Sequence, residues 1–340
     1  MKQIENKFGS GALYEEHDLG AELAITCTGC LSLYAEALSW TNSDAVMPRY
    51  SGAKSHIVLG CQVTDLAVLN DLRTVERIQA NDPQTRVYVS GCLARRFDIP
   101  LPDGVRRLEN LSRNGTIIKT RRGVAWPPPF WLPEFNEADV DDPGHLFRHD
   151  YPLRIGVGCS RNCDYCTIRV TRGAPYALCS DVEFEWATEH GMTVVLVAES
   201  PTADQLRYWC RKAAANPEAR LSIRNVEPHE LLGAWDAVSN LDATGRLAVL
   251  HSPVQARDPA VLLDMKRPPL AVAGVMERLP DLRARKATNI IVDYKKFPND
   301  FGEIYRVFDV VNWNPYWDGI WDRAKAEERF AKYEAQHWTY

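Results

Sequence analysis

Three cysteines stand close together in Gly158-Cys-Ser-Arg-Asn-Cys-Asp-Tyr-Cys-Thr-Ile-Arg, at Cys159, Cys163 and Cys166, directly after the apolar run Leu153-Arg-Ile-Gly-Val. Thiolates spaced in this way are ligands for soft metals. A cubane iron–sulfur cluster has four irons and usually takes four thiolates, so a local set of three leaves one iron open to a ligand that is not protein. A structural zinc is the plainer alternative. It wants four closed tetrahedral ligands, typically two C-x2-C pairs, and no second C-x2-C or C/H pair lies nearby in the sequence.

A second set of thiols is spread further apart. Gly29-Cys30, Gly60-Cys61 and Gly91-Cys92 each follow a short strand-like run, respectively Glu22-Leu-Ala-Ile-Thr, Ser55-His-Ile-Val-Leu and Thr85-Arg-Val-Tyr-Val, and successive pairs are 31 residues apart. That interval is about one βα unit. The carboxyl ends of strands in an open parallel sheet share one edge, where such sheets bind ligands, so Cys30, Cys61 and Cys92 are expected to converge there as metal ligands, with three structural cysteines placed there by coincidence as the alternative. The glycines would let the backbone approach a cluster closely. Cys27, inside the first run, competes with Cys30 for the first position, whereas Cys179 and Cys210 read as buried apolar residues.

The elements that must position these thiols follow from hydrophobic periodicity. Residues Asp65 to Asn81 place Val68, Leu69, Leu72, Val75 and Ile78 on one helical face, and strands separated by such helices imply a parallel sheet. Residues 1–125 therefore read as an open parallel α/β sheet domain. Residues 126–150, with Trp126-Pro-Pro-Pro-Phe-Trp-Leu-Pro and the acidic stretch from Glu134 to Asp142, read as a linker in which Trp126, Phe130 and Trp131 pack onto a domain surface. From Tyr151 onward strand-like runs recur at Leu153 to Val157, Thr193 to Val197, Arg220 to Ile223, Leu247 to His251 and Asn289 to Val292. Residues 151–340 are thus expected to form a partial parallel (β/α) barrel ending in a charged helix, with Cys159 at the carboxyl end of its first strand.

Composition sets bounds on function. With 340 residues, 45% hydrophobic and 25% charged, the chain reads as a soluble two-domain globular protein. It has no apolar run near the roughly 18 residues needed to span a bilayer and no signal-peptide core in Met1-Lys-Gln-Ile-Glu-Asn-Lys, so a cytoplasmic monomer is expected. Nine cysteines in such a chain point to metal or redox chemistry rather than to disulfides. The net charge of −5 argues mildly against nucleic acid over the whole chain, yet Pro83 to Arg122 carries nine basic and three acidic residues. Either a solvated basic face or phosphate contact accounts for that excess.

Taken together, these pieces resemble the radical S-adenosylmethionine methylthiotransferases. The resemblance runs through Thr28-Gly-Cys-Leu, Leu59-Gly-Cys-Gln-Val-Thr-Asp-Leu-Ala, Val89-Ser-Gly-Cys-Leu-Ala-Arg-Arg, Gly158-Cys-Ser-Arg-Asn-Cys-Asp-Tyr-Cys with Arg172-Gly173, Arg220-Leu-Ser-Ile-Arg-Asn-Val-Glu-Pro, and His251-Ser-Pro-Val-Gln with Leu263-Asp-Met-Lys-Arg. It implies a radical-SAM barrel and two 4Fe-4S clusters. Cys159, Cys163 and Cys166 would hold the one at which S-adenosylmethionine is cleaved to a 5′-deoxyadenosyl radical. Cys30, Cys61 and Cys92 would hold an auxiliary one, whose sulfur is methylated by a second S-adenosylmethionine and then delivered to carbon. The sequence departs from the family at Leu33, where an asparagine is usual, at Arg169, where a proline is usual, at Gln255-Ala-Arg-Asp and at Asp293-Tyr-Lys-Lys-Phe-Pro-Asn-Asp. The family's C-terminal RNA-binding β-barrel is not expected after the charged segment Ala324-Lys-Ala-Glu-Glu-Arg-Phe-Ala-Lys.

Beyond the cysteines, Glu199, Arg224, Glu227 and Gln255 fall at strand ends, and Glu199, Arg224 and Gln255 are the candidates for binding S-adenosylmethionine. His251 reads as structural more readily than as a base. The resemblance implies methylthio transfer to carbon 2 of an N6-modified adenosine next to the tRNA anticodon, with the anticodon stem-loop, a reductant such as flavodoxin or ferredoxin, and a sulfur donor as partners. A protein side chain, such as a ribosomal-protein aspartate, is the alternative acceptor. A non-catalytic iron–sulfur or zinc protein is the alternative class.

Overall fold

The computed structural model describes residues 16–18, 23–27, 46–47, 55–108, 117–119, 150–178, 181–295, 297 and 300–335. The chain divides into two compact units, Met1–Pro133 together with Trp317–Tyr340, and Glu134–Tyr316. Both are α/β.

In the first unit, strands β2 (Leu23–Cys27), β3 (Val46–Met47), β4 (Ser55–Gly60), β5 (Arg86–Gly91) and β6 (Arg106–Arg107) form a parallel sheet in the order β3-β2-β4-β5-β6. A separate parallel pair joins β1 (Glu16–Asp18) to β7 (Ile117–Lys119). The helix between β4 and β5 spans Asp65–Asn81, where the apolar spacing puts it. Thr64 caps its start by accepting the Ala67 N–H at 3.1 Å, which satisfies one of the free donors of the first turn. Its Val68, Leu72, Val75 and Ile78 pack with Val58, Val87 and Val89 of the sheet.

Trp317 completes that same core, 5% exposed. The helix that follows, Arg323–Ala335, was expected in the second domain and instead packs in the first unit. Arg323 pairs with Glu76 at 2.6 Å, Arg329 with Asp65 at 3.0 Å, and Arg73 lies over the Phe330 ring. The segment is anchored further by Arg96, which has no exposed surface. Its guanidinium donates to Asp98 at 2.6 Å, to the Gln62 side-chain oxygen at 3.3 Å and to the Gly319 carbonyl at 2.7 Å, and lies over the Trp317 ring.

In the second unit, β8 (Asp150–Arg154), β11 (Thr193–Val197), β12 (Arg220–Ile223), β13 (Leu247–His251), β14 (Arg285–Val292) and β15 (Val310–Pro315) form a six-stranded parallel sheet in sequential order. Parallel crossovers that always step the same way across a sheet bring their helices to one face, since such crossovers are right-handed as a rule. That is barrel topology, left open because β8 and β15 are the sheet's two edges. The first strand differs from expectation: it spans Asp150–Arg154 and gives way at Ile155 to a two-residue strand, β9 (Gly156–Val157), paired antiparallel with β10 (Tyr176–Ala177). Among the described residues no helix is long and apolar enough to cross a membrane.

Because Trp317 fills a cavity lined by residues from β4, β5 and the Asp65–Asn81 helix, Trp317→Ala should lower the stability of the first unit by about 3–5 kcal/mol, measured by urea unfolding.

Candidate active site

Cys159 begins the loop that leaves β9. Gly158 before it has φ +87°, and a Cβ there would come within 2.4 Å of the Ala174 carbonyl oxygen, so only glycine fits. The Cys159 N–H donates to Gly173 O at 3.1 Å and Arg169 Nη1 donates to Cys159 O at 2.8 Å, which clips the turn to the segment after the third cysteine. Arg169 therefore does here what a proline cannot. Cys159 and Cys163 are buried and Cys166 is half-buried.

A second set of contacts ties this loop to the connection between β13 and β14. The Asp164 N–H donates to Met265 O at 3.2 Å and Arg161 Nη2 to Lys266 O at 2.6 Å. Lys295 pairs with Asp164 at 2.9 Å. Arg267, fully enclosed, donates from Nη1 to the Tyr165 hydroxyl at 3.1 Å and to Glu227 Oε1 at 3.0 Å, and reaches Cys163 Sγ at 3.8 Å.

Burial pushes the Cys159 thiol up, helped by Glu227 and Cys163, and pushes Cys166 up to about 12, with Cys163, Cys159 and Glu227 adding to it. Cys163 is thus close enough to both to oppose their ionisation. A bound cationic centre reverses that balance by taking up the thiolates as they form. Among the described residues no three His, Cys, Asp or Glu side chains converge as the ligands of a single metal ion do. As a donor set, three thiols on one loop would suit an iron–sulfur cluster.

The polar groups at the neighbouring strand ends face the same edge of the sheet. Glu199 follows β11; its Oε2 accepts the Gly158 N–H at 2.9 Å, Arg172 Nε lies 3.6 Å from its Oε1, and that buried Oε1 has no hydrogen-bond donor among the described residues. Gln255, at φ +68°, is tied by its backbone to Asn289 and Ile291, while its buried Oε1 likewise lacks a donor. Arg224 is buried just after β12, near enough to His251 to disfavour protonation of that ring. Glu227 ion-pairs with Arg267 at 2.9 Å.

In the first unit, Gly60 of β4 and Gly91 of β5 are register partners in adjacent parallel strands. Cys61 and Cys92 follow them on strands about 4.8 Å apart. Cys61 donates its N–H to Asp71 Oδ2 at 2.6 Å, and its sulfur accepts the Val63 N–H at 3.5 Å. A Cβ on Gly60 would strike Leu93 at 2.7 Å, and Gly91 sits at φ +75°. Cys27 lies within β2, in register with Leu59 and so short of the edge. Cys30 and Cys179 lie outside the described residues, as do Leu33, the 126–149 linker, and Arg113, Arg121 and Arg122 of the basic run. Two other arginines of that run are spent internally. Arg96 is the strut described above, and Arg107 Nη1 donates to the Leu93 carbonyl at 3.0 Å.

No family model matches the chain. Among curated proteins it is 30% identical over 183 residues to the ribosomal protein uS12 methylthiotransferase RimO of Acidothermus cellulolyticus, covering 43% of this chain and 38% of that protein. It is 27% identical over 286 residues to the enzyme of the same name from Hydrogenovibrio crunogenus, covering 74% and 60%. It is 25% identical over 298 residues to the tRNA-2-methylthio-N(6)-dimethylallyladenosine synthase of Bordetella petrii, covering 77% and 61%. The chain is a distant homologue of the radical S-adenosylmethionine methylthiotransferases. It spans less than two thirds of the length of these relatives. Among solved structures, the radical S-adenosylmethionine methyltransferase TsrM of Kitasatospora setae gives a TM-score of 0.45 at 11% identity, over 81% of this chain and 68% of that one.

In this methylthiotransferase homologue the sequence pointed to the thiols but not to Arg267, Asp71 or Arg169 as their supports. Arg267 stands in a turn before Pro268-Pro269, where a basic residue usually faces water. His251 is structural, as read: its Nδ1 accepts the Asn225 N–H at 3.1 Å and its Nε2–H donates to Asn289 Oδ1 at 3.2 Å. Burial lowers its pKa from 6.5 to about 4. Between those values the unfolded chain binds the proton that the folded one refuses, so stability rises with pH across that window and is lost on acidification. The second unit should therefore weaken by on the order of 1 kcal/mol per pH unit as pH falls through it. His251→Gln should flatten that slope in urea unfolding followed across the window.

Proposed function

We propose that this chain is a radical S-adenosylmethionine methylthiotransferase, replacing a C–H hydrogen with a methylthio group. The observation that carries the reading is the triplet Cys159, Cys163 and Cys166, two of them buried and the third half-buried, clamped on a strand-end loop. These three residues would hold a 4Fe-4S cluster, and Cys30, Cys61 and Cys92 a second. When bound, the first supplies the electron that cleaves S-adenosylmethionine. The chain's own side chains orient and enclose. Glu199 Oε1 and Gln255 Oε1, buried and without a hydrogen-bond donor among the described residues, would accept from a donor group of S-adenosylmethionine, and Arg224 is a buried cation just after β12. An electron donor of the flavodoxin or ferredoxin kind and a sulfur donor complete the reaction.

The acceptor has two readings. A ribosomal-protein side chain is favoured by the uS12 methylthiotransferases among the relatives and by the loss of Arg96 and Arg107 from the basic run. An adenosine next to the tRNA anticodon is supported by the likeness to the Bordetella petrii tRNA enzyme, which extends over 298 residues.

Anaerobic reconstitution should give about eight irons per chain and cleavage of S-adenosylmethionine to 5′-deoxyadenosine. Cys163→Ala should halve the iron and abolish cleavage, whereas Cys61→Ala should halve the iron, retain cleavage and abolish methylthio transfer. Bound zinc without cleavage would sink the proposal. Mass analysis of ribosomal proteins and of tRNA nucleosides, from cells with and without the chain, decides the acceptor.

A further inference from the structure

The buried Arg267–Glu227 pair has a geometry that a mere strut does not need, and we propose that it sets the reduction potential of the cluster at Cys159, Cys163 and Cys166 through an N–H···S hydrogen bond from Arg267 to Cys163. This rests on the cluster reading above. Arg267 is 3% exposed. Its Nη1 lies 3.8 Å from Cys163 Sγ, 3.1 Å from the Tyr165 hydroxyl and 3.0 Å from Glu227 Oε1, while Nη2 lies 2.6 Å from Pro253 O and 2.9 Å from Glu227 Oε2.

A charge taken so far from water costs several kcal/mol unless it is paired. Glu227 provides the pairing, but the pair is not neutral in its effect on the sulfur. The guanidinium touches Cys163 and the carboxylate touches the guanidinium, so Cys163 faces the positive end of a dipole. Glu227, 3.0 Å and 2.9 Å from the two ends of that guanidinium, places a negative charge one side chain behind the donor that reaches Cys163. Arg267 Nε is a further buried donor without an acceptor among the described residues, as befits a guanidinium beside a group not made of protein.

Reduction adds one electron to a cluster and increases the negative charge on its sulfurs. Hydrogen bonds to those sulfurs, and positive charge near them, stabilise the reduced form and raise the potential. Negative charge nearby lowers it. The two members of the pair therefore pull the potential in opposite directions, and Arg267 is a positioning residue that also carries an electrostatic role.

The test is a redox titration of the reconstituted chain, with the reduced cluster followed by electron paramagnetic resonance. Arg267→Gln should make the midpoint more negative, Glu227→Gln should make it less negative, and Arg267→Lys should fall between the wild type and Arg267→Gln. A pair that only braces the loop would leave the midpoints unmoved or shift them the same way, and either result overturns the inference. Iron content and circular dichroism identify any variant that fails to assemble. If Arg267→Gln is lost in that way, opposite shifts in Glu227→Gln and Arg267→Lys are still required. Wild-type protein that takes up no cluster overturns the parent reading, whereas clusters with unresponsive midpoints overturn this inference alone.

Discussion

Like charges gathered at one strand end oppose one another, and burial makes ionisation of Cys159 and Cys166 harder still. Around Cys159, Cys163 and Cys166 the chain answers this with fixed positive charge. Arg267 reaches Cys163, and Arg169 holds the carbonyl of Cys159. The loop is also held by main-chain bonds that do not depend on charge, to Gly173 on one side and Met265 on the other. A loop tied both to its own far end and to a second strand connection loses little entropy on taking up a ligand. Its shape exists before the ligand arrives.

The first unit places its thiols by a different route. Cys61 and Cys92 are brought together by strand register, because Gly60 and Gly91 are paired across β4 and β5. The Cys61 backbone is held by a buried carboxylate of the Asp65–Asn81 helix, Asp71, which accepts its N–H. Arg96 couples this edge to the end of the chain, since one guanidinium touches Gln62, Asp98 and Gly319. Its charge is matched by Asp98 rather than offered to a partner.

Much of this was legible in sequence, where the signal is local. The Asp65–Asn81 helix has a capping threonine and apolar residues at helical spacing, and β11, β12 and β13 read as the short apolar runs that buried parallel strands require. The edge strands were harder. β8 contains Pro152, tolerated because an edge strand can spare one N–H, and β15 reads Val-Val-Asn-Trp-Asn-Pro, too polar to suggest a strand. The cysteines declared themselves by spacing, whereas Arg267 did not, because its meaning lies in contacts more than 100 residues away in the chain. Long-range packing also explains the C-terminal helix. Nothing near Trp317 in sequence says that its neighbours are Val58 and Val89.

That placement of Trp317 has a temporal side. A ribosome finishes the strands and helix of the first unit long before it reaches the residue that completes their core, because the whole of Glu134–Tyr316 must be made in between. At typical elongation rates of about 5–20 residues per second, the delay is on the order of ten to forty seconds. For that interval the sheet bearing Cys61 and Cys92 exists with an open core and without the Gly319 carbonyl that Arg96 binds. The second unit can fold as it emerges, so the part of the chain that begins first is the part that finishes last.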